Sequence, residues 1–135
     1  MYYCTVKLLI ADRQLEQVNC IRYLGVLIDA HLFWKHHVKH IVKKVKRSVG
    51  MLSKIRHYVP QSILIQLYYT LIYPYLTYAV TTWGNTYSTT LQPLYVLQKK
   101  ALRIITFSEY RAHSNPLFHH LKILKFSDLL FINNA

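Results

Sequence analysis

Hydrophobic spacing divides the chain near residue 30. Before it, apolar and β-branched residues gather in short runs: TVKLLI at 5–10, LEQV at 15–18 and IRYLGVLI at 21–28. Runs of that length bounded by turn residues predict strands, and Ala11-Asp12-Arg13-Gln14 supplies the turn between the first two. The pattern predicts a small antiparallel hairpin or meander over 5–10, 15–18 and 21–28. From Trp34 the spacing changes to three and four residues. Trp34, Val38, Ile41, Val45, Val49, Leu52 and Ile55 make one apolar stripe of an amphipathic helix over 34–57. At about 100° per residue, Lys35, Lys39, Lys43, Lys46, Arg47 and Lys54 fall on the opposite face, with Lys44 and Arg56 off the pattern. Gly50 weakens this helix by about 1 kcal/mol relative to Ala.

Pro60 opens a second element, in the first-turn position where proline is tolerated. Residues 58–98 carry no charge, and a helix apolar on most sides belongs at the centre of a bundle. Pro74 should kink or break it, and Gly84-Asn85 should stop it. A third helix is predicted over 91–107, capped by Thr89 or Thr90, with Leu94, Leu97, Ala101 and Ile104 or Ile105 facing inward. Ser114-Asn115-Pro116 opens a short fourth helix, and Ser127 caps a fifth that ends without a stop signal, as if cut. The expected fold is α+β and mainly helical, a β-hairpin or meander followed by a bundle of four to five helices. No internal repeat is evident.

Charge turns this architecture toward a partner. Seventeen Lys and Arg against five Asp and Glu give a net +12, a field that favours a polyanion, nucleic acid before an anionic membrane. No acid lies between Ala30 and Ser108, so the basic face of the first helix carries one sign only. Like charges four apart repel, and phosphate would compensate them. The nucleic-acid-binding residues expected from this face are Lys35, Lys39, Lys43, Lys46, Arg47 and Lys54, with Lys99, Lys100 and Arg103 of the third helix as a second track. Tyr23, Trp34 and Tyr58 could stack on bases, although Trp34 lies on the apolar stripe and suits the core better.

Other chemistries find little support. Asp12, Glu16, Asp29, Glu109 and Asp128 are scattered, whereas two-metal phosphoryl transfer needs clustered carboxylates. The three glycines are isolated, so no phosphate-cradling loop exists, and no GxSxG-type signal is present. His36 and His40 stand four apart like a metal pair, but the acid of a metalloprotease motif is absent and lysines surround them. These two, His37 and the His119-His120 pair read as solvated helix-face histidines. No catalytic, cofactor or metal residue is expected. Two cysteines, Cys4 and Cys20, do not make a disulfide scaffold and fit a reduced, intracellular setting, nuclear or cytoplasmic. The N-terminus shows no signal-peptide pattern.

Several short strings in order carry a resemblance. Tyr23-Leu24-Gly25-Val26, then Asp29, Leu32-Phe33-Trp34 and His37, resemble the segment following the catalytic palm in reverse transcriptases of non-LTR (LINE-type) retrotransposons. The likeness continues through Leu71-Ile72-Tyr73-Pro74-Tyr75-Leu76-Thr77-Tyr78, Trp83-Gly84-Asn85, Gln98-Lys99-Lys100-Ala101-Leu102-Arg103-Ile104-Ile105 and Arg111-Ala112-His113-Ser114-Asn115-Pro116-Leu117-Phe118. It implies that residues 1–30 form a palm rim, with Tyr23, Leu24 and Gly25 like a primer grip. Residues 31–110 would be a thumb-like bundle holding template–primer, and 111–135 the start of the next helical region. The implied partners are the backbone of RNA or an RNA–DNA duplex, and the palm and fingers of a longer polymerase. The family's metal-binding aspartates lie upstream of this segment. The chain alone is then expected to be no enzyme but a fragment of an RNA-directed DNA polymerase, from a truncated element copy. The alternatives are an interaction module or pseudogene product without a binding duty, and a small basic membrane protein using residues 63–83. The five Tyr, four Thr, Gln66 and Pro74 of that stretch count against a membrane span.

Overall fold

Two tight turns build the β portion. A computed structural model describes residues 7–134. In it Ala11 (φ 48°) and Asp12 (φ 62°) join β1 (Leu9–Ile10) to β2 (Arg13–Gln14), and Leu24 (φ 47°) and Gly25 (φ 81°) join β3 (Cys20–Tyr23) to β4 (Val26–Asp29). Two successive left-handed residues make a type I′ turn, whose twist matches that of the flanking strands. Leu9 pairs with Gln14 and Ile10 with Arg13; in the second hairpin Cys20 pairs with Asp29 and Tyr23 with Val26. The β elements are thus two separate hairpins. Residues 15–18, expected as a strand, make no ladder, and 21–28, expected as one strand, folds back on itself at Leu24-Gly25. The turn lies within an unbroken apolar run, and Gly25 alone marks it. Residues 5 and 6 of the first expected strand, and Cys4, lie outside the described residues.

The long amphipathic helix is α1 (Lys35–Ile55). Its predicted stripe is the buried one: Val38, Ile41, Val45, Val49 and Leu52 are within the core, with Trp34 and Ile55 packed at its margin. Each buried aliphatic contributes about 1.5–3 kcal/mol relative to exposure. Each like-charge pair on the opposite face opposes the helix by only about 0.2–0.5 kcal/mol. Packing therefore decides that α1 forms, and the lysines are carried at small cost.

The uncharged second segment is one predicted helix broken into three: α2 (Gln61–Leu71), α3 (Tyr73–Thr77) and α4 (Val80–Trp83). Pro74 sits in the first turn of α3, where its missing N–H costs nothing, and Ala79 takes φ 51° between α3 and α4. One stripe across the breaks is buried: Leu64, Tyr68, Ile72, Leu76, Val80 and Trp83. The other side is not. Gln66, Tyr69 and Thr70 face water, because Tyr and Thr tips hydrate without charge. Among the described residues no helix is long and apolar enough to cross a membrane.

The third predicted helix, α5 (Ser88–Ile105), starts three residues early, so Thr89 and Thr90 lie inside it and do not cap it. Leu94, Leu97, Ala101 and both Ile104 and Ile105 are buried as expected from their spacing. α6 (Asn115–Leu121) and α7 (Phe126–Asn134) complete the order. Phe118, Phe126 and Leu129 join the same core as α1 and α5, and the Phe126 ring lies stacked on Trp83 at 6.0 Å. The fold is α+β and mainly helical.

Candidate nucleic-acid interface

The basic sector begins with how α1 is launched. Asp29, the last residue of β4, turns its carboxylate onto the loop that follows: Oδ1 accepts the N–H groups of His31 (3.2 Å) and Phe33 (3.0 Å), and Oδ2 that of Trp34 (2.9 Å). Burial alone would raise the pKa of this acid, but the donors at Phe33, Trp34 and His31, with the charge of His36, hold it below its ordinary value. A second tie fixes the hairpin to the helix. The N–H of Leu27 donates to Nδ1 of His37 at 3.2 Å, and the His37 ring is fully buried, edge-on to Trp83 at 5.3 Å. His37 is therefore a core residue, against its reading as a solvated helix-face histidine, while His36 is exposed. Burial, then the neighbouring His40, lowers the pKa of His37.

These anchors leave one side of α1 in water. Lys35, Lys39, Lys43, Lys46, Arg47 and Lys54 are all exposed, and Lys44 is half-buried. On α5 the three expected cations part company. Lys100 is exposed, Lys99 is half-buried, and Arg103 is half-buried with Nε donating to the Ala112 carbonyl at 2.9 Å. Arg103 thus holds the loop after α5, whatever else it contacts. Tyr23 and Leu24 stand exposed at the tip of the second hairpin, where the Tyr78 hydroxyl donates to the Leu24 carbonyl at 2.6 Å. Gly25 lies over that Tyr78 ring with a φ that other residues rarely adopt. Trp34 is packed against the core, and Tyr58 is almost wholly exposed.

Between α1 and α5 runs an open groove that the sequence did not reveal. Its first section, about 670 Å³, has Val38, Val42 and Pro93 among its apolar lining and Lys35 and Lys39 on the α1 side. Phe33 and Tyr87 also line it, and both residues are more than half exposed. A second section, about 500 Å³, shares Val42 and Pro93 with the first and reaches Lys46 and Val96. Thr86 ties the two sides, its hydroxyl donating to the Phe33 carbonyl at 2.8 Å. These aliphatic, cationic, polar and aromatic residues meet here only because helices some fifty positions apart pack against each other (~50 residues from Lys35 to Tyr87).

The chain is similar to a segment of RNA-directed DNA polymerases of non-LTR retrotransposons. It is 26% identical over 117 residues to the probable RNA-directed DNA polymerase from transposon X-element of Drosophila melanogaster, covering 84% of this chain. It is 23% identical over 121 residues to the RNA-directed DNA polymerase from mobile element jockey of the same species, covering 87% of the chain, and 26% identical over 117 residues to its Drosophila funebris counterpart. The chain spans 13% of the length of each of these curated relatives. No family model and no solved structure matches.

Proposed function

We propose that this chain is a duplex-holding, thumb-like piece of a reverse transcriptase, which binds the phosphate backbone of RNA or of an RNA–DNA hybrid and performs no nucleotide transfer itself. One observation carries the reading: six cations of α1, Lys35 to Lys54, all stand exposed, with no acid in the sequence from Ala30 to Ser108. They span nineteen residue steps, about 28 Å of helix at 1.5 Å per residue, comparable to the rise of several base pairs. Cations so placed track a backbone and read little sequence. The chain's carboxylates do not suit the chemistry of polymerisation, since Asp29 is committed to three backbone donors and the others are scattered.

The test is the affinity of the purified chain for an RNA–DNA hybrid measured against salt. Six phosphate contacts at 0.7–0.9 each give a slope of log K on log salt of about −4 to −5. A slope near zero contradicts the proposal.

A second reading, an interaction module, rests on the hairpins. All four residues of β3 are exposed, and Leu9, Ile10, Ile21, Tyr23 and Leu24 present apolar surface to water. Such an edge suits pairing with another part of a longer polymerase. A cooperative thermal melt of the soluble chain alone supports a self-sufficient binding domain; insolubility relieved by a covering partner supports the module.

A further inference from the structure

The groove between α1 and α5 goes further than the lysine face, and what is drawn from it rests on the backbone-binding reading above. We infer that this groove receives the bases of a single-stranded stretch of nucleic acid, whose phosphates lie along the lysine rim. Three features together specify the occupant. The floor is apolar, formed by Val38, Val42 and Pro93. One rim is cationic, with Lys35 and Lys39 beside the first section and Lys46 beside the second. The mouth holds two flat rings in water: Phe33, which is itself stacked on His31 at 5.5 Å and 25°, and Tyr87, which is 70% exposed.

An aromatic platform beside a positive track is what single strands require, because every base has a stacking face and every linkage a charge. The opposite rim adds polar edges. Thr89 and Thr90 bring hydroxyls, Gln92 brings an amide, and Pro93 has no N–H to give to the Thr89 carbonyl one turn back. A heteroaromatic base carries donors and acceptors on its rim to meet these groups. An apolar peptide side chain would cover them unmatched, so the observations favour nucleic acid over an acidic amphipathic helix. Lys100 is exposed and follows Pro93 and Val96 at helical spacing on α5, on the side of the polar rim.

The experiment compares the full chain on a fluorescent oligouridylate, on an abasic strand of equal length and on an RNA–DNA hybrid, by anisotropy at several salt concentrations. The inference expects the base-bearing strand to bind at least about tenfold tighter than the abasic one. Tyr87→Ala and Phe33→Ala should each weaken oligouridylate binding about fivefold or more, with the abasic strand, the hybrid and the salt slope unchanged. Both side chains are largely exposed, so circular dichroism should show intact variants, and photo-crosslinking of a bromouridine strand to peptides holding Phe33 or Tyr87 checks the wild type independently. Equal binding of base-bearing and abasic strands with a steep salt slope overturns the groove while keeping the lysine reading. No salt dependence on any strand overturns both. An acidic amphipathic peptide that binds tightly and loses affinity in Tyr87→Ala, with base-independent strand binding, replaces the nucleic acid by a protein ligand.

Discussion

The backbone N–H of Leu27 donates to Nδ1 of His37 at 3.2 Å, and this bond joins the second hairpin to the first turn of the basic helix. With Nδ1 accepting, the proton of the neutral ring sits on Nε2, which is buried without a hydrogen-bond partner and lies against Trp83. Protonation would put a second N–H against that of Leu27, in a fully buried site. The hairpin therefore depends on a neutral imidazole.

A pH dependence follows. The folded pKa of His37 lies below its ordinary value of 6.5, through burial first and then the charge of His40. The unfolded chain takes up that proton more readily, so the contribution is present above 6.5 and is lost as pH falls below it toward the folded value. His40 is shifted the same way, by burial and then by Lys44, Arg22 and Lys43. Thermal melts between about pH 8 and pH 5 should fall with acidification, and His37→Gln, which keeps an acceptor but cannot protonate, should flatten the curve. An equally steep curve in His37→Gln contradicts this.

Asp29 should act at lower pH and through α1. Its folded pKa is below 3.8, so its stabilisation is present above that value and is lost as pH falls through the folded value. Asp29→Ala strands three N–H groups before the helix and should cost about 1–2 kcal/mol in a denaturant titration. A loss under a few tenths would show that water replaces the carboxylate.

Gln98 is the polar staple of the core. Its amide nitrogen donates to the Tyr68 hydroxyl at 3.0 Å and the Leu124 carbonyl at 2.9 Å, and its oxygen accepts the N–H of Phe126 at 2.8 Å. Burial pushes the Tyr68 pKa up to about 12, against the opposing effect of the Gln98 bond. Gln98→Leu leaves the Tyr68, Leu124 and Phe126 groups unpaired and should destabilise by at least about 2 kcal/mol, more than Tyr68→Phe. Chemical denaturation of both variants measures the order; the reverse order contradicts it.

Gly84 marks where α4 meets α7. A Cβ there would come within 2.5 Å of Leu130 Cδ2 and of the Val80 carbonyl. Gly84→Ala should cost about 1–3 kcal/mol by overpacking. Gly50, with nothing within 4 Å of its missing Cβ, serves as the control, and Gly50→Ala should stabilise by about 1 kcal/mol.

How far the sequence revealed these features depended on how local they are. The core face of α1 was legible because five of its seven stripe residues are buried at an uninterrupted three-and-four spacing. The break at Pro74 was legible from one residue's covalent structure. The Leu24-Gly25 turn was not, because it carries no Asn or Asp and sits between two apolar runs. His37 was misread because the groups that enclose it, the Leu27 N–H of the hairpin and the Trp83 ring, come from outside its own helix. Gln98 carried a weak signal, a polar residue at core spacing among Leu94, Leu97, Ala101 and Leu102. The groove carried none, since Phe33 and Tyr87 meet only after α1 and α5 pack.

The proposed function requires that the position of the α1 lysines, and not total charge, set the affinity for nucleic acid. Two triple variants of equal net charge test it on an RNA–DNA hybrid: Lys39→Gln, Lys43→Gln and Lys46→Gln in one, Arg13→Gln, Arg111→Gln and Lys122→Gln in the other, all exposed positions. The first should flatten the salt slope by about 2–3 and the second should leave it close to wild type. Equal slopes in the two variants would contradict it.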